Sequence, residues 1–479
     1  MTGDLAEHTE SLRRDPQGAN PDGWRVDWAD GPWPVKVYAG GVRTPLGRAG
    51  ALDRLLLFTF GMTAVRFDPA GGMPSTPDNP TPTHLGERYA PRRPIPSGGS
   101  MYPTEAYVVD TEAGRVSHYD PYRHELVDLG RPAPRAALRA ALGEPADAPL
   151  PPAVLLVANR FWKNAYKYGE FAARLGAVDT GVALGRAARV AEAAFGDIAV
   201  LVDLDAAAVE DLLGLDGRDE AVFAAVELGR RRDCPAEPPA ERAAPPPVLE
   251  RSRAVRRLPG LSALTEAARQ PAEPVAVDRP AAVRGPLDLL DPGVMVRRGS
   301  HGRRFTGAPV RLADVEAVLL HAAEAAARLA AVSGGAVGAE AGLCCAVRRV
   351  EGLAPGWYRF DGALVPVAED DPGPVLRRAL FAESLNPELA AFTVHVTGPV
   401  DFAGGAAGYR ARQLGVGAVV EAVCLAATAA RLSGHAVLGF DVGPIDLAYA
   451  LPADRGVHAQ VCVGAVRPST HWEVAVMPR

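Results

Sequence analysis

The apolar positions of this chain fall into two successive runs of similar elements. In the first run, residues 51–65 carry apolar side chains at helical spacing. Strand-like runs at 105–110 and 115–119 follow and read as a hairpin. Residues 153–158 are continuously apolar, the pattern of a strand buried on both faces. A long helix then runs to about Phe195, where Gly196 stops it, and a strand (198–202), a short helix (206–213) and a strand (221–228) complete the run. The second run places a helix at 312–331, strands at 343–350 and 356–360, a long helix at 409–432 ending at Gly434, and a last strand at 460–463. Shifting the first long helix by 238 residues lays Asp179 on Gly417 and Gly196 on Gly434. Element order repeats along with the spacing, so the chain reads as an internal duplication.

Between these elements the punctuation is clear. Residues 1–34 are polar, with Pro, Gly and Asp scattered through them, and are expected to form a loose extension, with Trp24, Trp28 and Trp33 as candidates to dock on the body. Residues 68–82 form a Pro/Thr-rich loop, and 233–250 a proline-rich linker. The expected domains are 35–232 and 291–479, joined by a connector at 233–290. At 479 residues the chain is about right for two such domains.

Three stretches carry candidate chemistry. The loop from Arg92 to Pro103 has two prolines at its entry and Ser97-Gly98-Gly99 at its centre, so it can bring backbone N–H groups and a hydroxyl close to something flat and polar. Lys167-Tyr168 stands just before the long helix. Arg297-Arg298-Gly299-Ser300 precedes the 312–331 helix, where two guanidinium groups and a hydroxyl can hold a phosphate dianion. Glu170 and Asp179 are candidates for capping or buried polar contacts, and His301 reads as an exposed loop histidine.

The run from Pro96-Ser97-Gly98-Gly99-Ser100-Met101-Tyr102-Pro103 into Thr104-Glu105-Ala106-Tyr107-Val108-Val109 resembles the signature loop of SagB-type dehydrogenases. That family lies within the FMN-dependent nitroreductase superfamily and oxidises azoline rings in ribosomally made peptides. Gly98 and Met101 stand where the family usually has a small residue and a leucine. The resemblance implies an α+β fold of two tandem nitroreductase-like domains forming an internal pseudodimer. It implies FMN as cofactor, with Pro96, Ser97, Gly98 and Gly99 over the flavin ring, and Arg297, Arg298, Ser300, Leu438, Gly439 and Arg467 as further cofactor-binding residues.

It also implies Lys167 and Tyr168 as catalytic residues, with the lysine lowering the phenol's pKa so that Tyr168 can serve as base. The halves are degenerate in complementary ways. The first has the Pro-Ser loop but no Arg-Arg-Gly-Ser, and the second has Arg297 to Ser300 but only Val-Ser-Gly-Gly-Ala in place of the loop. One complete FMN site per chain is therefore expected. The implied partners are a modified precursor peptide as substrate and a cyclodehydratase. Alternatives are an NAD(P)H-dependent nitroreductase-like enzyme acting on a small molecule, and a flavin-less scaffold of a peptide-modifying complex.

Composition narrows the picture little. The net charge of −6, from 51 basic and 57 acidic residues, argues against a nucleic-acid partner. No N-terminal signal pattern and no apolar run of membrane-spanning length is read. The five cysteines, Cys234, Cys344, Cys345, Cys424 and Cys462, show no metal-ligand spacing, so a reducing, cytoplasmic setting without structural metal is expected. No Gly-x-Gly-x-x-Gly after a strand, nucleophile elbow, zinc-binding helix or Walker loop is present.

Overall fold

The computed structural model describes residues 2–67, 89–234, 237, 243–269, 285–381, 385–468 and 472–476. The expected loop at 68–82 lies outside them, as do most of 235–242 and residues 270–284 of the expected 233–290 connector. The chain forms two bodies, one of Pro21–Ala272 with Ser469–Arg479, the other of Met1–Asn20 with Glu273–Pro468.

In the first body an antiparallel sheet runs, edge to edge, through Arg43–Pro45, Glu125–Pro132, Arg115–Asp120, Thr104–Asp110, Ala153–Arg160, Glu220–Leu228 and Ile198–Leu201. Helix Ala172–Phe195 packs against the sheet and against helix Ala51–Phe60. The short helices Arg135–Ala141 and Ala206–Leu213 join a separate apolar cluster with Tyr107, Val109 and Leu156 of the sheet. Burial on both faces is why residues 153–158 are continuously apolar rather than alternating.

The second body repeats the plan. Its sheet runs through Leu364–Ala368, Gly356–Phe360, Gly342–Val347, Phe392–Pro399, Arg455–Gly464 and Ser433–Val437, with helices Leu312–Val332 and Gly405–Ala429 packed together beside it. Setting aside the Arg43–Pro45 edge, the two sheets share one strand order, and the inferred duplication has this topological counterpart. Helix Gly405–Ala429 is long and apolar enough to cross a membrane by length and composition, contrary to the reading of the sequence; here it is a buried core helix.

Several boundaries move. The expected 51–65 helix ends at Phe60, because Gly61 breaks it, and Ala64–Phe67 is a strand instead. The 238-residue offset fits the early strands but not the long helices, which start at Ala172 and Gly405 and end at Phe195 and Ala429, about one turn out of that register. Gly434 lies in a strand, and Arg431, with φ 62°, stands at the end of its helix as Gly196, with φ 76°, does in the first body. Strands Glu125–Pro132, Leu364–Ala368 and Phe392–Pro399 are additional to those read from the sequence.

The termini differ most. Residues Thr2–Arg14 form a helix rather than a loose extension. Leu12 is buried, and buried Arg13 makes ion pairs with Glu10 at 2.7 Å and Asp446 at 3.0 Å. At the other end, Trp472–Ala475 is a strand paired antiparallel with Ala64–Phe67, so the last residues belong to the first body and the expected 291–479 domain is not continuous.

Glu170 has the capping role foreseen for it. Its carboxylate accepts from the N–H of Gly260 (2.9 Å) and Leu261 (2.7 Å), the first free donors of helix Pro259–Ala267 after a proline that has none. Replacing this buried acid by alanine strands both donors. E170A is expected to lower stability by about 1–3 kcal/mol in denaturant unfolding, with E170Q in between; equal stability of all three would remove the cap from the account.

Candidate functional site

The Ser97 loop is set by the chain on either side of it. Arg93 stacks its guanidinium on the Tyr102 ring, 5.1 Å from its centroid, and donates to the Thr104 carbonyl, while its backbone N–H donates to the Tyr102 hydroxyl (3.3 Å). This staple draws the ends together and forces a tight turn between them. Gly99 takes φ 59°, and Ser100 and Tyr102 accept left-handed backbone at 58° and 49°, conformations that cost of order 1 kcal/mol each for non-glycine residues.

The loop is fastened from below by one acid. Asp179, in the middle of the long helix, is buried. It accepts from the Ser97 hydroxyl at 2.7 Å and from the Gly98 N–H at 3.1 Å, with the Asn164 amide farther off at 3.5 Å. The Ser97 oxygen in turn accepts from the Tyr102 N–H at 2.9 Å. One turn earlier, Leu175 fills the space beside Gly98, where a Cβ would lie 2.5 Å from its methyl carbon; this is the local reason for glycine there. The expectation that Ser97 and Gly98 turn their donors outward is therefore corrected, because both donors point into the protein.

What remains above the loop is Gly99 and the pair Lys167-Tyr168. A Cβ at Gly99 would lie 2.3 Å from the Tyr168 hydroxyl and 2.9 Å from Lys167 Nζ, so the two strongest sequence signals converge on one point. The short helix Trp162–Tyr168 delivers the pair. Its start is pinned by buried Lys163, whose ammonium lies 3.2 Å from Glu105; His118 holds the other Glu105 oxygen at 3.0 Å. Burial would raise the Glu105 carboxyl, yet Lys163 and His118 hold it well below the usual carboxylate range, and burial draws Lys163 down to about 8.

The electrostatics of the pair differ from the expectation. Burial, with the Asp179 charge second, pushes the Tyr168 phenol well up, and burial alone lowers Lys167. The lysine does not bring the phenol down, because its ammonium sits over the ring face, 5.1 Å from the centroid, and desolvation of the phenolate outweighs it. Among the described residues, neither Lys167 Nζ nor the Tyr168 hydroxyl has a hydrogen-bond partner.

The residues expected on the phosphate side lie in the second body. Arg297 is exposed at the end of helix Pro292–Arg297, and Arg298 is buried and donates to the Ser300 hydroxyl at 3.3 Å. His301, expected to be exposed, is half-buried and bonds Ser433 Oγ at 2.8 Å. Leu438 and half-buried Gly439 follow strand Ser433–Val437, with open space where a Gly439 Cβ would be. Arg467 is exposed, and its backbone pairs with that of Arg304. A cavity of about 320 Å³ in the first body, floored by Lys36, Tyr38 and Glu220, holds none of the expected residues.

The sequence reading gave no role to the Asp179 clamp or the Arg93–Tyr102 staple. The one available signal was an acid in the middle of a helix too apolar to leave it in water.

Residues 77–230 match the family model described as Nitroreductase family. No curated protein matches the chain. Among solved structures, a protein provisionally described as a nitroreductase from Anabaena variabilis aligns at a TM-score of 0.71 and 20% identity, over 97% of this chain and 99% of its own. At that identity the likeness shows a shared fold. The E. coli microcin synthetase McbBCD complex with truncated pro-MccB17 bound aligns at 0.29 and 21%, over 42% of this chain and 71% of that one. A protein from Ralstonia eutropha with the same provisional description aligns at 0.28 and 18%, over 45% and 88%. These last two scores are too low to bear on the argument.

Two predictions follow from the loop. Burial outweighs the donated hydrogen bonds and raises the Asp179 carboxyl from its ordinary 3.8 to about 6. A raised acid contributes stability that is complete below pH 3.8 and is lost as pH rises through 6. Relative to wild type, D179N should therefore gain on the order of 2–3 kcal/mol between pH 4 and pH 7.5 in paired melts; a constant difference would place the acid at its ordinary value. G99A, strained at positive φ and driven into Tyr168, should lose about 2 kcal/mol or more, whereas full stability would show the pair free to move aside.

Proposed function

We propose that this chain is an FMN-dependent dehydrogenase that oxidises thiazoline or oxazoline rings to the azoles in a modified, ribosomally made peptide. The observation that carries the proposal is the convergence of Lys167 Nζ and the Tyr168 hydroxyl at Gly99, two polar tips without a hydrogen-bond partner among the described residues. Both side chains are half-buried, so an amine and a phenol without a protein partner are left to engage a bound substrate. The resemblance of the loop and of the Lys-Tyr pair to SagB-type dehydrogenases supplies the substrate class.

A flavin is the proposed cofactor. Pro96, Ser97, Gly98 and Gly99 are the proposed ring contacts, at a loop where Lys167 and Tyr168 fill the space a Gly99 side chain would take. Within the second body, Arg298 and Ser300, already hydrogen-bonded to each other, are the proposed phosphate holders, with Arg297, Leu438, Gly439 and Arg467 as further proposed cofactor contacts. Conversion of an azoline to an azole removes a proton from carbon and a hydride, and FMN when bound supplies the hydride acceptor.

The chain's own groups handle the proton. Lys167, brought toward neutrality by burial, is the better acceptor of a carbon-bound proton at its Nζ. Tyr168, kept protonated by the same burial, donates its O–H to an electronegative substrate atom and orients the ring. This reverses the roles expected from the sequence, where the phenol was the base.

The match of residues 77–230 to the Nitroreductase family keeps a second reading in play, an NAD(P)H-dependent enzyme acting on a small molecule. The deciding measurement is azole formation on an azoline peptide without nicotinamide. K167M is expected to lose about 100-fold or more in turnover while retaining wild-type flavin content, with Y168F losing less. Full turnover by K167M, or turnover only with NAD(P)H, would refute the reading.

A further inference from the structure

A tryptophan of the N-terminal segment also reaches the proposed site. Trp28 lies in the segment expected to be loose, on the turn Trp28–Asp30 that the Asp27 carboxylate caps by accepting from the Ala29 N–H (3.1 Å). Its ring stands edge-on to Tyr166, 6.2 Å between centroids, and Lys167 Nζ lies over its face at 5.6 Å. With the Tyr168 ring at 5.1 Å, the ammonium sits between two aromatic faces, and Gly99 lies close by.

The turn is held in place by a separate set of bonds. The Asp30 carboxylate accepts from the N–H of Arg253 (2.7 Å) and Ala254 (3.2 Å), and its carbonyl accepts from the Ser252 hydroxyl (2.8 Å). Ser252 in turn accepts from the Trp162 indole N–H (2.9 Å), at the start of the helix that carries Lys167. The segment is therefore tied to the element whose lysine it covers.

We propose that Trp28 is a positioning residue for Lys167, holding the ammonium over Gly99 and shielding it from water. The proposal rests on the reading of Lys167 as the site's proton acceptor. The charged groups on the neighbouring described elements have partners of their own. Asp27 and Asp30 serve the turn, Arg251 lies over Trp33, and Lys163 is paired with Glu105. Asp179 holds Ser97 and Gly98, and Glu170 caps its helix. Burial is accordingly the one influence lowering Lys167, and Trp28 is a removable part of that burial.

The test reads Lys167 directly. The full-length flavin-loaded chain is acylated with acetic anhydride across a pH series, and labelling of Lys167 is followed by peptide mass mapping, with K167M marking the background. In wild type the labelling midpoint should lie below the ordinary lysine value of 10.5. W28A should raise it by about one unit, and W28F should stay near wild type. D30A, which loosens the turn without touching the site, guards against misfolding of W28A and should shift the midpoint the same way. The pH profile of turnover should move in parallel.

Unchanged midpoints in W28A and D30A, or W28F behaving as W28A, would overturn the proposal. Labelling does not depend on azole formation, so shifted midpoints beside a fully active K167M would sink the functional reading and leave the placement of Trp28 standing.

Discussion

The site depends on a carboxylate held where water cannot reach it. Asp179 occupies the middle of the long helix of the first body and faces the Ser97 loop from beneath. The charge is expensive in that position, which is why its proton is released only near pH 6, well above the ordinary carboxyl range. In return it fixes two donors of a loop that glycine would otherwise leave free. Leu175 performs the apolar half of the same task one turn away, so a single helix face sets both the height and the tilt of the loop. The strained backbone at Ser100 and Tyr102 persists because these contacts, with the Arg93–Tyr102 staple, leave the loop no alternative.

Much of this was legible in the sequence, for identifiable reasons. Loop and pair are both local signals, a few consecutive residues whose types restrict the backbone or place chemistry at a helix start. The long helices and the strand at 153–158 show in periodicity and length. The direction of the Ser97 hydroxyl was not legible, because a serine in a glycine turn serves a ligand or a neighbouring acid equally well until its partner is in view. The terminal segments were missed for a different reason. Arg13 meets Asp446 and Trp472–Ala475 pairs with Ala64–Phe67, contacts some 400 residues apart in sequence, and the exposed C-terminal strand has no alternation to betray it. Even the duplication was read about one turn out of register in the helices, since apolar helices slide past one another with little change of pattern.

The duplicated plan sharpens the contrast between the halves. Gln413 stands as far from the end of its helix as Asp179 does from the end of its own, and it faces His458 at 3.4 Å instead of a serine loop. Ser333, in the second body's Ser-Gly-Gly turn, accepts from the Val337 N–H and directs its hydroxyl to backbone carbonyls of Ala330 and Val337. Nor does the stretch between strand Phe392–Pro399 and helix Gly405–Ala429 contain a lysine or a tyrosine. Fold and strand order are shared by the two bodies because apolar burial spread through each core secures them. The clamp and the pair rest on a handful of side chains, and these differ between the copies.

The same physics acts on the lysine and the tyrosine proposed as the working couple. Desolvation disfavours whichever protonation state is charged, so it moves an amine and a phenol in opposite directions on the pH scale. At Lys167 it favours the neutral amine, which can take a proton; at Tyr168 it favours the neutral phenol, which can give a hydrogen bond. The partial burial of the two side chains moves each in the direction its proposed role requires. An acid beside Lys167 would hold it protonated, and a guanidinium beside Tyr168 would draw the phenol toward its anion.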